Sequence, residues 1–98
     1  MVLTLLLTVS FSGWLTASAQ QRTVTVNGVV LDENGSPMVG VTVVDSKKPT
    51  VGTTSGAQGN FAIIVGRDCD SLRFSFIGYI PQTVSVRNAA LVRMKPDL

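Results

Sequence analysis

The residues that could carry out chemistry in this sequence are few, and histidine is absent from all 98 positions. Histidine is the commonest general base near neutral pH and the commonest zinc ligand in proteins. A serine or cysteine nucleophile would therefore need a lysine or a carboxylate as its base. The composition argues against an enzyme, and it predicts no catalytic residue, no cofactor and no metal ion.

The first acidic group is Asp32 and Glu33, which stand beside Asn34. Carboxylate and amide oxygens in a loop are ligands that calcium prefers. Calcium loops, however, place more carboxylates at regular alternate positions. Asp and Asn are also common in turns, because their side chains bond to the nearby backbone. We expect an ordinary turn here.

The second acidic group surrounds Cys69, the single cysteine, which lies between Asp68 and Asp70. Two neighbouring carboxylates raise the pKa of a thiol by repulsion, and Arg67 offsets only part of this effect. A reactive thiolate needs the opposite. We expect Cys69 to be a small buried filler or an ordinary loop residue, and it can form no internal disulfide.

The remaining candidates are binding features. The segment 56–59 (GAQG) lacks the lysine and the following helix of a phosphate loop, so it predicts a turn. Threonines 23, 25, 53 and 54 could present hydroxyls to a sugar or an ice lattice, but threonine is also a good strand former. Tyr79, beside Gly78, could stack on a ligand or a partner. The alternative is a corner tyrosine that packs the end of the domain.

The net charge of +2 comes from scattered lysines and arginines rather than a basic stripe. Nucleic-acid surfaces need such a stripe, usually with aromatic residues between the charges. The sequence therefore predicts no nucleic-acid partner.

The first twenty-one residues carry no charged side chain, and an apolar core ends at Ala17-Ser18-Ala19. This pattern is typical of a secretory signal peptide, although no Lys or Arg precedes the apolar core. A membrane anchor is the alternative, but the apolar run is short and rich in Ser and Thr. We expect a signal peptide at 1–19, one domain at 20–98 and no membrane span in the mature chain.

The part after the leader alternates apolar and polar residues with period two, and Gly, Pro, Asn or Asp interrupts it every eight to twelve residues. This pattern predicts six or seven short strands in an all-β, antiparallel β-sandwich. Asn34-Gly35 predicts a tight turn after the first strand, and Val39, Val41 and Val43 predict the inward face of the second. The predicted core consists of Val26, Val30, Val41, Val43, Phe61, Ile63, Leu72, Phe74, Phe76, Val84 and Val86.

Three blocks of this sequence resemble the carboxypeptidase-regulatory-like domain. The first is 26–30 (VNGVV) with 32–43 (DENGSPMVGVTV), the second is 52–55 (GTTS) leading to 59–61 (GNF), and the third is 72–79 (LRFSFIGY) with Gln82. They follow one another in the family's order and cover nearly the whole mature chain. The resemblance implies a transthyretin-like β-sandwich. Gly56 stands where the family usually has Asp, which implies a looser turn at that position.

Together with a leader that ends in Ala-Gln, these blocks are similar to the N-terminus of SusC/RagA-type TonB-linked outer-membrane transporters. In that family the domain precedes a TonB-interacting segment, a plug and a large barrel, which import glycans or peptides with a lipoprotein partner. The resemblance implies a non-catalytic accessory domain on the periplasmic side of the outer membrane of a Gram-negative bacterium. It also implies, as partners, the plug and barrel, TonB and a nutrient-binding surface lipoprotein.

The sequence stops at Leu98, where the family begins its TonB segment, so we expect a truncated fragment without plug and barrel. Two alternatives remain open. One is a free-standing exported binding module that meets its partner through a sheet edge or Tyr79. The other is the regulatory sandwich of an exported peptidase, which would need a zinc-site catalytic domain.

Overall fold

A computed structural model of the chain describes residues 22–98. The expected signal peptide at 1–19 and the first two residues of the expected domain lie outside the described residues. Within residues 22–98, no helix has the length and apolar character needed to cross a membrane.

Seven strands and one short 3-10 turn make up the described chain, which confirms the all-β prediction. They are β1 (Thr23–Leu31), β2 (Thr42–Asp45), β3 (Gly52–Thr54), β4 (Asn60–Gly66), β5 (Ser71–Ser75), β6 (Gln82–Ser85), the 3-10 turn Val86–Asn88 and β7 (Leu91–Arg93). One sheet has the order β4-β1-β7 and the other the order β3-β2-β5-β6. The two sheets form the predicted small sandwich, because each needs the other to cover its apolar face.

The pairings are antiparallel with one exception, which is the parallel pairing of β7 with β1. Val29 lies opposite Leu91, and Leu31 lies opposite Arg93. Residues 86–90 carry the chain from the edge of the second sheet back to the first. The last strand therefore runs alongside the final part of β1 in the same direction.

The period-two pattern of the sequence reappears as burial, most clearly in β4. Phe61, Ile63 and Val65 are buried, while the residues between them are exposed. The centre of the core is Phe74, which is fully buried and meets the ring of Phe61 edge-on at a centroid distance of 5.4 Å.

Most of the predicted core residues are buried, and four of them are half-buried at its margin: Val26, Phe76, Val84 and Val86. The core list omitted six residues that are also buried: Met38, Val65, Cys69, Ala89, Val92 and Met94. Met38 and Ala89 lie outside the strands, where no alternation marks them. Cys69 is a buried filler, one of the two structural roles expected for it.

The inward position predicted for Val39 is wrong, because its side chain is 61% exposed. β2 begins only at Thr42, and Gly40 has a φ of +84°, which breaks the alternation before the strand starts. The amide of Gly40 donates to the Ser55 carbonyl oxygen, and Val41, directly after this bond, is buried.

The first turn forms at the predicted residues, but it does not join two paired strands. Gly35 has a φ of +81°, whereas Asn34 does not adopt a positive φ. Asp32 Oδ1 accepts hydrogen bonds from the amides of Asn34 and Ser36, as expected of a turn residue. β1 and β2 belong to different sheets, so the turn leads into a crossing between sheets rather than a hairpin.

Candidate functional site

Three segments meet at one end of the sandwich, where β1, β5 and β7 end and β2 and β6 begin. They are residues 32–41, 76–81 and 94–97. We call this region the tyrosine end, because it holds Tyr79, the residue that the sequence singles out as a candidate for interaction.

Tyr79 joins two of these segments. Its hydroxyl donates a 2.8 Å hydrogen bond to Glu33 Oε1, and its ring meets Phe76 edge-on at a centroid distance of 5.9 Å. The hydrogen bond to the Glu33 carboxylate, together with burial, raises the pKa of Tyr79. The phenol therefore stays protonated at neutral pH and acts as a donor. Tyr79 packs the end of the domain as a corner residue, with part of its ring still accessible.

The backbone around Tyr79 forms a tight turn. The amide of Tyr79 donates to the Phe76 carbonyl oxygen at 3.0 Å, and Gly78 has a φ of +84° inside this turn. Glycine adopts that conformation at little cost, which explains its place in the FIGY sequence. Ile77 is consequently held at the tip of the turn, where its side chain is 90% exposed.

The segment 94–97 supports this turn from the other side. The amide of Ile80 donates to the Lys95 carbonyl oxygen at 2.9 Å, and the amide of Asp97 donates to the Gly78 carbonyl oxygen at 3.0 Å. Tyr79 and Pro96 form an antiparallel bridge between these two bonds. The turn that presents Ile77 is thus hydrogen-bonded within itself and to its neighbour.

Val39 and Ile77 are the functional candidates that the sequence analysis missed. Both are exposed apolar residues directly before a glycine with positive φ, at Gly40 and Gly78. A Cβ atom placed on Gly40 would lie 3.8 Å from the ring of Phe76, so the two segments are adjacent. An apolar residue immediately before a turn glycine is the sequence signal that could have identified them.

The opposite end of the sandwich holds residues 45–51 and 66–71, and we call it the cysteine end. Asp45 is buried, and its Oδ1 accepts a 2.9 Å hydrogen bond from the Lys47 amide. Cys69 is also buried, and its thiol donates to the Ser71 carbonyl oxygen at 3.4 Å. Burial raises the pKa of the Cys69 thiol, and the nearby Asp45 raises it further. These effects suppress the thiolate that nucleophilic catalysis would need.

The only salt bridge among residues 22–98 lies on the surface of the cysteine end. Lys47 Nζ and Asp70 Oδ2 are 2.7 Å apart, and both side chains are mostly exposed. The hydrogen bond between them raises the pKa of Lys47 and lowers the pKa of Asp70. Pairs of this kind contribute little to stability and catalyse nothing by themselves.

The other candidate sites of the sequence do not come together in space. The Asp32 carboxylate accepts from the backbone amides of Asn34 and Ser36, whereas the Glu33 carboxylate accepts from the Tyr79 hydroxyl. In the described part of the chain, no three acidic or cysteine side chains are grouped so that they could hold a metal ion. The segment 56–59 is a turn closed by the bond from the Gly59 amide to the Gly56 carbonyl oxygen, and a strand rather than a helix follows it.

The family comparison agrees with the resemblance found in the sequence. The sequence profile of the CarboxypepD_reg-like domain matches residues 26–95, which include all of β2 to β7. The chain is also similar to the TonB-dependent receptor SusC of Bacteroides thetaiotaomicron, with 38% identity over 84 residues. That alignment covers 86% of this chain and 8% of the receptor, so the chain spans only a small part of its relative's length. The chain belongs to the CarboxypepD_reg-like domain family.

Proposed function

We propose that this chain is a non-catalytic accessory domain of a SusC/RagA-type TonB-dependent transporter, on the periplasmic side of the outer membrane. The observation that carries the proposal is the 38% identity to the receptor SusC across most of this chain. In this proposal, uptake of glycans or other nutrients belongs to the plug, the barrel and a surface lipoprotein. The domain contributes contacts rather than chemistry.

The described side chains favour binding over catalysis. The one thiol is buried with a raised pKa, and the buried Asp45 carboxylate is occupied by a backbone amide. The accessible surface at the tyrosine end, in contrast, presents apolar groups on a backbone fixed by hydrogen bonds. A rigid surface of this kind loses little conformational entropy when it meets a partner.

We assign the contact surface to Val39, Ile77 and the accessible part of Tyr79, and we propose the periplasmic domain of TonB as its partner. A few residues, tyrosine often among them, provide most of the binding energy in protein interfaces, and covering exposed aliphatic side chains adds to it. Ile77 is the most exposed of the three, so its contribution should be the largest. The hydroxyl of Tyr79 is already bonded to Glu33, so its ring makes the contact.

Binding of the purified chain to the periplasmic domain of TonB, measured by biolayer interferometry, tests this assignment. We expect Ile77→Ser to weaken binding by about tenfold or more. Ile64→Ser is the matched control, because Ile64 is also an exposed isoleucine but lies on the outer face of β4. If the chain binds no better than a control chain of scrambled sequence, the proposal that TonB is its partner is overturned. Equal loss in both variants would overturn the assigned surface.

We further propose that residues 1–19 direct export and are removed. Expression of the whole chain in a Gram-negative host, followed by mass spectrometry of the periplasmic fraction, tests this point. The expected product begins at Gln20. Recovery of the uncleaved chain from the cytoplasm would contradict it, and Ala17→Leu with Ala19→Leu should block cleavage by filling the small-residue sites.

A further inference from the structure

The first and last strands of the domain lie side by side and run in the same direction. β7 pairs with the final three residues of β1, from Val29 opposite Leu91 to Leu31 opposite Arg93. At about 3.3 Å per residue, Thr23 lies about 26 Å along β1 from the level of Arg93. The described chain therefore enters the sheet at the cysteine end and leaves β7 at the tyrosine end.

Hydrogen bonds hold the final segment, residues 90–97, to β1 and to the segment 78–82. To β1, the Val29 amide donates to the Ala90 carbonyl oxygen at 3.0 Å, and the Met94 amide donates to the Leu31 carbonyl oxygen at 2.8 Å. To the segment 78–82, the bonds are Ile80 amide to Lys95 oxygen at 2.9 Å, Asp97 amide to Gly78 oxygen at 3.0 Å, and Gln82 Nε2 to Arg93 oxygen at 2.7 Å. Val92 and Met94 also bury their side chains in the core.

The direction of these strands decides how a pull on the chain is resisted. Opposite forces on Arg22 and Asp97 act along the strands, so they load the bonds of the final segment together in shear. In an antiparallel pair pulled from one end, the bonds instead open one after another. Forced unfolding is governed by the barrier to unfolding rather than by equilibrium stability, and simultaneous loading raises that barrier.

We propose that the fold resists a pull between Arg22 and Asp97 more strongly than a pull that separates β1 from β4, and we call this resistance the mechanical clamp. The inference goes beyond the proposed function, because it requires neither a transporter nor TonB. It gives the parallel β1–β7 pair and the segment 94–97 a shared role, which is to keep the sandwich folded under such a pull.

Single-molecule force spectroscopy on the whole chain tests the clamp. Handles attached through azide-bearing residues at positions 22 and 97 apply the shear geometry and leave Cys69 unmodified. Handles at positions 22 and 67 are the matched comparison, because the Arg67 amide donates to the Arg22 carbonyl oxygen and this pull opens β1 from β4 bond by bond. We expect the peak unfolding force to be higher for the 22–97 pair than for the 22–67 pair at the same pulling speed.

A substitution separates load bearing from general stability. Gln82→Ala removes the bond to the Arg93 oxygen, so it should lower the peak force for the 22–97 pair and leave the 22–67 pair unchanged. Lys47→Ala removes the surface ion pair at the cysteine end and should change neither force. Equal forces in the two pulling directions would overturn the clamp. An equal decrease in both directions for Gln82→Ala would also overturn it.

Discussion

The two ends of this sandwich differ in the kind of surface that they expose. At the cysteine end, the charged groups Asp45, Lys47 and Asp70 all find partners within the domain. At the tyrosine end, the backbone is equally well bonded, but Val39 and Ile77 remain exposed. The cysteine end exposes mainly charged and polar side chains, including Lys48 and Asp68, whereas the tyrosine end presents apolar surface that the described residues do not cover.

This difference indicates where a partner would gain most. Covering an exposed apolar side chain is favourable by about 25 cal/mol for each Å² removed from water. The surface of the cysteine end offers mainly solvated polar groups, whose desolvation opposes binding. This difference requires the tyrosine end to be a surface built on the core rather than a part of the core.

The largest effect should come from Phe74, at the centre of the core. We expect Phe74→Ala to lower the free energy of unfolding by about 3–5 kcal/mol, because it leaves a cavity against Phe61. Phe76→Ala should cost roughly half as much, since Phe76 is only half-buried at the tyrosine end. Urea denaturation of the two variants measures both values. Equal losses would mean that the tyrosine end belongs to the core.

Ser55 should come next, because its hydroxyl joins the base of the tyrosine end to the core. The Oγ atom donates to the Met38 carbonyl oxygen at 2.6 Å and accepts from the Val41 amide at 2.9 Å, and the residue is buried. Ser55→Ala leaves both backbone groups without this partner, which should cost about 2–3 kcal/mol.

The control for Ser55 is Ser75→Ala on the outer face of β5, where the side chain makes no hydrogen bond within the described residues. Its urea midpoint should stay close to that of the parent chain. A Ser55→Ala variant as stable as Ser75→Ala would show that the buried hydroxyl does not hold the tyrosine end in place.

The closed character of the cysteine end should appear in the chemistry of Cys69. We expect iodoacetamide to modify Cys69 in the folded chain at about one tenth of the rate in the urea-unfolded chain, or at a still lower rate. Burial excludes the reagent and raises the pKa of the thiol. Mass spectrometry follows the reaction. Thr50→Cys in a Cys69→Ala background places an exposed thiol at the same end, and it should react quickly in both states. Equal rates for folded and unfolded Cys69 would mean that this end opens freely.

The smallest effect should come from the ion pair of Lys47 and Asp70. The pKa of Asp70 is lowered from 3.8, so its contribution is present above that pH and is lost as the pH falls through the lowered value. The pKa of Lys47 is raised from 10.5, so its contribution is present below that pH and is lost as the pH rises through the raised value. The difference in urea midpoint between the parent and Lys47→Ala should therefore be small, constant between these limits, and reduced by salt.

Lys48→Ala is the control for this last comparison, because Lys48 lies beside Lys47 in the sequence and forms no ion pair among residues 22–98. It should show no such pH dependence. A Lys47→Ala difference that does not shrink as the pH falls through the lowered pKa of Asp70 would show that the effect is not electrostatic.

The alternating strands were predictable because burial on one face of a sheet imposes period two on the sequence. β4 and β5 follow that pattern closely, and the predicted core contains all their inward residues except Val65. The pattern carries no information about which strands pair. The parallel β1–β7 pair arises from long-range topology, and the crossing after the first turn depends on bonds made by Gly40 and Ser55.

The candidate site was predictable only in part. Tyr79 could be chosen because it is the only tyrosine and stands in a turn, but nothing in the sequence pairs it with Glu33, 46 positions earlier. Ile77 continues the apolar run of β5, so its type alone suggested a strand residue. Only the geometry of the following glycine places it at an exposed tip.

The position of β1 between β4 and β7 has a consequence for how the domain folds. The three-stranded sheet is complete only when β7, the last strand, pairs with β1, the first strand of the described chain. Contacts between such distant segments close a long loop and slow folding relative to a chain of local hairpins. A nascent chain therefore cannot reach the native state before its last strand is available.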